Sequence, residues 1–159
     1  MRAPDKAGAA ILEKTDERVT YTLDSTLDSV NTAELAAARI AAKAGFDGES
    51  CDRIAMAVRE ATVNAVLHGN AYDPKKKVTV SYENTRGRLT IRVADQGKGL
   101  DASNIPDPLK PENLLKTSGR GIFLMRAFMD EVNFRDLSPG TEITLVKQVS
   151  PGEGKEESK

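Results

Sequence analysis

Arg59-Glu60-Ala61-Thr62-Val63-Asn64-Ala65-Val66-Leu67-His68-Gly69-Asn70 is the stretch on which the reading of this chain turns. With the residues before it, it predicts a helix from near Ser50 to Leu67, because Ile54, Ala57, Val58, Ala61 and Ala65 recur at three- and four-residue spacing and form one apolar stripe. His68-Gly69-Asn70 ends that helix. Glu60 and Asn64 lie four residues apart, so their side chains leave one face a turn apart, and His68 continues their line. A carboxylate and an amide so placed can line a cleft around a polar ligand; taken alone, such a pair is more often a solvated helix face.

Ser29 to Ala44 is alanine-rich with few breakers and predicts another helix, capped by Gly45. Before it, Arg18 to Leu23 alternates as a half-buried strand expected at or near a sheet edge. After the central helix, Lys77 to Tyr82 and Arg88 to Ala94 alternate around Glu83-Asn84-Thr85-Arg86-Gly87 and predict a hairpin. Residues 96 to 118 hold glycine and proline clusters in a stretch too long for a simple connector, as functional loops do. Ile122 to Met129 is apolar at helical spacing. Glu131 to Phe134 and Thr141 to Val146 then form a closing strand pair around Ser138-Pro139-Gly140. Strands near both ends with three helices between them predict an α+β fold: a two-layer sandwich with the helices on one face of a mixed, mostly antiparallel sheet. The expected organisation is a flexible segment over 1–15, one domain over 16–149 and a disordered tail over 150–159, since both ends lack apolar anchors.

Composition narrows the chemistry. The 159 residues suffice for one domain with its own core. With 23 Lys+Arg against 24 Asp+Glu, no global field draws the chain to nucleic acid or a membrane surface. One cysteine and one histidine assemble neither a disulfide framework nor a Cys/His zinc site. No apolar run reaches the roughly 20 residues of a membrane span, and Met1 to Lys6 leads into no signal segment, so a cytoplasmic protein is expected. Cys51 and the apolar residues from Ile122 to Phe128 read as packing, His68 as a helix-end contact.

Two further motifs accompany Glu60 and Asn64. In Val93-Ala94-Asp95-Gln96-Gly97-Lys98-Gly99 an apolar strand runs into a carboxylate and two glycines, so backbone can approach a ligand closely while Asp95 accepts from a donor such as an exocyclic amine. Lys98 can reach a phosphate or stand solvated. Thr117-Ser118-Gly119-Arg120-Gly121 precedes the third helix, where main-chain N–H groups and Arg120 suit an anion; a hinge at a helix start reads the same way. Each motif alone is weak. Their order is far more specific.

In that order they resemble the GHKL ATPases, the superfamily of gyrase, heat-shock chaperones, histidine kinases and mismatch-repair ATPases. Arg59 to Asn70 looks like the N-box, Asp95 to Gly99 like the first glycine box and Gly119 to Gly121 like the second. The small size and Pro111 to Arg126 are similar to the anti-sigma-factor serine kinases (RsbW-like) of bacterial partner-switching systems, over about Thr20 to Lys147.

The resemblance implies the following roles. Glu60 matches the general base acting on a serine hydroxyl, and Asn64 the ligand of the Mg²⁺ that bridges the phosphates of ATP. Asp95 matches the acceptor of the adenine amino group, with Gly97 and Gly99 turning beneath the base and Thr141, after Gly140, supporting Asp95. Gly119, Arg120 and Gly121 match the lid and helix start over the phosphates. The implied activity is an ATP-dependent serine/threonine kinase. It would act as an anti-sigma factor and phosphorylate a small anti-anti-sigma (STAS-type) antagonist; the alternative is a nucleotide-gated binder of a sigma factor without turnover. The implied cofactors are ATP or ADP and Mg²⁺, and the implied partners are the antagonist, a sigma factor and a second copy in a homodimer.

Overall fold

The computed structural model describes residues 11–14, 18–98 and 117–150. Chain order gives β1 (Ile11–Lys14), β2 (Arg18–Asp24), α1 (Leu27–Ala44), α2 (Gly48–Val63, continued as a π-helical turn over Asn64–Gly69), β3 (Lys77–Thr85), β4 (Arg88–Ala94), α3 (Thr117–Phe128), β5 (Glu131–Asp136) and β6 (Thr141–Gln148). The strands form one six-stranded sheet in the order β1-β2-β3-β4-β6-β5, every pairing antiparallel. Among the described residues no helix is long and apolar enough to cross a membrane.

Local chemistry sets the element ends. Thr26 caps α1 by accepting from the Ser29 N–H at 3.2 Å, and Gly45 ends it in the left-handed conformation, φ 102°, as the glycine at that point leads one to expect. α2 starts earlier than its periodicity indicates, at Gly48, because Asp47 accepts from the Ser50 N–H at 2.8 Å. The hairpin turn is likewise tighter than expected. β3 and β4 stay paired out to Thr85 and Arg88, and Arg86 (φ 51°) with Gly87 (φ 81°) makes a two-residue turn whose positive φ values match the twist of the strands.

The helices cover one face of the sheet, as the sequence pattern predicts. The stripe Ile54, Ala57, Val58, Ala61 and Ala65 is entirely buried, facing Ala33, Ala36, Ala37 and Ala41 of α1 and the sheet residues Val80, Leu89, Ile91, Val93 and Leu145. Alanines along the helix contact face keep the two helices close. Tyr82 ties the layers together: its ring meets Tyr21 edge-on with centroids 6.0 Å apart, and its buried hydroxyl donates to the Ala33 carbonyl at 2.7 Å. Burial pushes its phenol well above the ordinary range. Above the layers, Arg59 bridges α2 to α1 through Asn31 at 3.1 Å and Glu34 at 3.0 Å.

Two further differences concern the N-terminal edge strand and the start of α3. Ile11–Lys14, inside the segment expected to lack regular structure, pairs with β2 as the edge strand, since strand pairing needs only main-chain groups and the open edge of β2 supplies them. α3 begins at Thr117, so the Gly119-Arg120-Gly121 run lies inside its first turns rather than ahead of it.

Candidate functional site

The site forms where the C-terminal end of α2 meets the end of β4 and the start of β6. α2 does not stop after Val63. It widens into the π-helical turn Asn64–Gly69, with the Asn70 N–H reaching the Ala65 carbonyl five residues back at 2.8 Å. Such widened turns recur at functional positions because they redirect side chains that a regular helix would stack. This one begins at Asn64 and delivers Gly69 against Asp95.

Asp95 follows β4 and is 8% exposed. Its Oδ1 accepts from the Gly97 N–H at 2.9 Å and the Thr141 N–H at 3.2 Å, while its own N–H donates to the Thr141 carbonyl at 2.9 Å. Thr141 thus supports Asp95 through its main chain at both points. Oδ2 is turned toward Gly69 and accepts no hydrogen bond from the described residues. Burial pushes the carboxyl above its usual range, against the Gly97 and Thr141 N–H groups and the charge of Lys76, which pull it down.

Three glycines make this packing possible. A Cβ on Gly69 would strike the Asp95 carboxylate, one on Gly97 would strike the Gly69 carbonyl, and one on Gly140, whose φ is 103°, would strike the Asp95 carbonyl. Backbone therefore packs on backbone around a half-satisfied carboxylate, a cradle suited to a flat ligand that offers a donor.

At the other end of the π-turn, Glu60 and Asn64 share a face, as their spacing requires, and both point at α3. A Cβ on the buried Gly121 would lie 3.1 Å from Glu60 Oε2 and 3.8 Å from Asn64 Nδ2. Gly121 thus leaves room for the acid and the amide at the start of α3. These groups would fit an adenine nucleotide with a divalent ion: an acceptor in a glycine cradle that would suit an amino group, and an amide and a carboxylate that would suit a metal-bound phosphate.

The structure does not gather every residue singled out in the sequence. Lys98 is exposed at the rim, Arg120 is exposed on α3, Gly119 lies in the first turn of that helix, and Gly99 falls outside the described residues, as does most of the long 96–118 loop. His68 is exposed.

Two residues matter more than their sequence context indicates. Gly69 touches Asp95, and Asn70, 1% exposed, bonds to three elements at once. Its amide oxygen accepts from the Gln96 N–H at 2.8 Å, and its nitrogen donates to Ser25 Oγ at 2.9 Å and to the Lys77 carbonyl at 3.0 Å. Those partners stand as far as 45 residues away, so no local pattern reports them.

Residues 23–147 match the model of the histidine kinase-like ATPase domain. The serine-protein kinase RsbW of Listeria innocua is 26% identical over 149 residues, covering 90% of this chain and 94% of that one. The protein of the same name from Bacillus licheniformis is 32% identical over 124 residues, 74% of this chain and 77% of its own. The anti-sigma F factor of Anoxybacillus flavithermus reaches 40% over 100 residues, 58% and 66% of the two chains. Among solved structures, one holding the RsbU and RsbW domains of a Mycobacterium tuberculosis protein superposes with a TM-score of 0.62 at 24% identity, over 84% of this chain and 33% of that longer one, and so shares the fold. A domain match across most of the chain, a carboxylate in a glycine cradle and a Glu/Asn pair on a π-turned helix converge on one assignment: this chain belongs to the histidine kinase-like (GHKL) ATPase family, among its RsbW-like members.

Proposed function

We propose that the chain is an ATP- and Mg²⁺-dependent serine/threonine protein kinase. In this reading it acts as an anti-sigma factor and phosphorylates a small STAS-type antagonist in a bacterial partner-switching system. The names borne by its relatives support this reading. The observation that carries it is the pairing of Glu60 with Asn64 beside Gly121, because holding a nucleotide needs the amide but has no use for a carboxylate next to it.

On this reading Asp95 accepts from the adenine amino group, with Gly97 and Thr141 shaping the loop around it. Asn64 holds Mg²⁺ through its amide oxygen, and Lys98, Gly119 and Arg120 attend the phosphates. Mg²⁺-ATP supplies the transferable phosphoryl group and most of the neutralising charge. Glu60 handles the proton: it takes the hydrogen of the acceptor serine as that oxygen bonds to the γ-phosphorus and the bond from phosphorus to the ADP oxygen breaks. Nothing in this chain need become covalently attached. A homodimer and a bound sigma factor belong to the same proposal.

The test combines the purified chain, γ-labelled Mg²⁺-ATP and a STAS-type antagonist encoded beside it. Wild type yields phosphoserine or phosphothreonine on the antagonist. Glu60→Gln keeps ATP binding and loses transfer by about 10²–10⁴-fold, the usual weight of a general base. A wild-type chain that binds ATP and the sigma factor but labels nothing sinks the kinase reading and leaves a nucleotide-gated binder.

A further inference from the structure

β3 and β4 are paired as far as Thr79 and Ala94. Two residues further along that register Lys77 faces Gln96, but main chain no longer bonds to main chain there. The Lys77 N–H donates to the Gln96 side-chain oxygen at 2.6 Å, and the Gln96 N–H turns to the amide oxygen of Asn70 at 2.8 Å. Asn70 closes the ring by donating to the Lys77 carbonyl at 3.0 Å. Its second amide hydrogen goes to Ser25 Oγ, which donates in turn to the Lys76 carbonyl at 2.6 Å. Side-chain amides thus replace the ladder at the point where β4 peels away to carry Asp95 and Gly97 into the cradle.

Ala71 (φ 50°) and Tyr72 (φ 58°), directly after Asn70, both take the left-handed conformation without being glycine. Such residues persist only where their surroundings hold them, and they cluster at functional sites. Here the surroundings are the Tyr72 N–H bond to the Val66 carbonyl at 3.0 Å and the Asn70 ring itself.

We propose that Asn70, braced by Ser25, is a positioning residue for base selectivity: by taking over the main-chain pairing that β4 gives up at Gln96, it fixes the Asp95 carboxylate where only an amino-bearing base satisfies it. The inference rests on the adenine reading of Asp95. It differs from a general packing role in a measurable way, because Asn70 reaches the Asp95 loop while Asn64 and Glu60 lie a turn or more back along α2. Loss of the ring therefore loosens recognition of the base and leaves the phosphate end as it was.

The probes are ADP, IDP, which carries a carbonyl in place of the adenine amino group, and inorganic tripolyphosphate, each titrated calorimetrically with Mg²⁺ into the full chain. Wild type prefers ADP over IDP. Asn70→Ala lowers that preference by about tenfold, the weight of a displaced charge-assisted hydrogen bond, with tripolyphosphate affinity kept. Ser25→Ala, which removes one bond of the ring and stands in should Asn70→Ala not fold, lowers it by a few-fold. An unchanged ADP-to-IDP ratio in a folded variant, whatever its melting temperature, overturns the proposal, as does an equal loss for all three probes. A wild-type chain that does not separate ADP from IDP instead overturns the adenine reading on which it stands.

Discussion

Asp95 is held at a cost. Its carboxylate is buried with hydrogen bonds to one oxygen, and desolvation outweighs them, so its ionisation is harder in the folded chain than in the unfolded one. A folded-state pKa raised above the unfolded value favours the folded state below the usual carboxylate range, and that advantage is lost as pH rises through the raised value. Asp95→Asn keeps an oxygen for the Gly97 and Thr141 N–H groups and removes the buried charge. We expect this variant to melt at or above the wild-type temperature at pH 7, with the difference shrinking toward pH 4 in a series of thermal melts. The same change sets a donor against a donor and weakens ADP binding by about 1.5–3 kcal/mol, read by calorimetry. A variant that is less stable at pH 7 yet binds normally contradicts both halves. The carboxylate itself stands out in the sequence, at a strand end before two glycines. Its second hydrogen-bond donor does not, because Thr141 is 46 residues away.

At the scale of elements, α2 carries the site, and its two ends answer to different forces. Its start is local. Asp47 caps the Ser50 N–H, and Asp47→Ala is expected to cost about 1 kcal/mol of unfolding free energy, measured by urea denaturation, with nucleotide affinity unchanged. Its far end is tertiary. Helical periodicity from Ile54 to Ala65 is legible because 3.6-residue spacing stripes the core, but the widening from Asn64 to Gly69 has no such signature. There Gly69 meets Asp95, and Asn70 reaches Gln96 and Ser25. α3 shows the reverse case. Gly121, one of two glycines that look like a loop in sequence, sits inside the helix, where a Cβ would lie close to Glu60 Oε2, at 3.1 Å, and in ordinary contact with Asn64. Gly121→Ala is expected to keep or raise the melting temperature, since alanine favours a helix by about 0.8–1.0 kcal/mol over glycine, while slowing phosphoryl transfer as the methyl crowds Glu60. Normal transfer in that variant argues against Glu60 working from this position.

Over the whole molecule, one sheet face and three helices share a core in which Ile91 is central, fully buried and registered between Tyr82 of β3 and Leu145 of β6. Ile91→Ala is expected to cost about 2–5 kcal/mol, visible as a lower urea midpoint, a large part of the roughly 5–15 kcal/mol that holds such a domain together. A shift below about 1 kcal/mol would place the core elsewhere. Fold class and most elements are legible in the order of residues, because alternation and helical stripes record which faces leave water, and Glu60, Asn64 and Asp95 stand out there as candidates by type and order. Tertiary structure alone decided what those residues touch: the edge strand β1, the π-turn, the Gly69–Gly97–Gly140 cradle and the Asn70 ring. Each of these joins backbone or amide groups from distant segments, and contacts between distant polar groups leave no periodicity in the chain that supplies them.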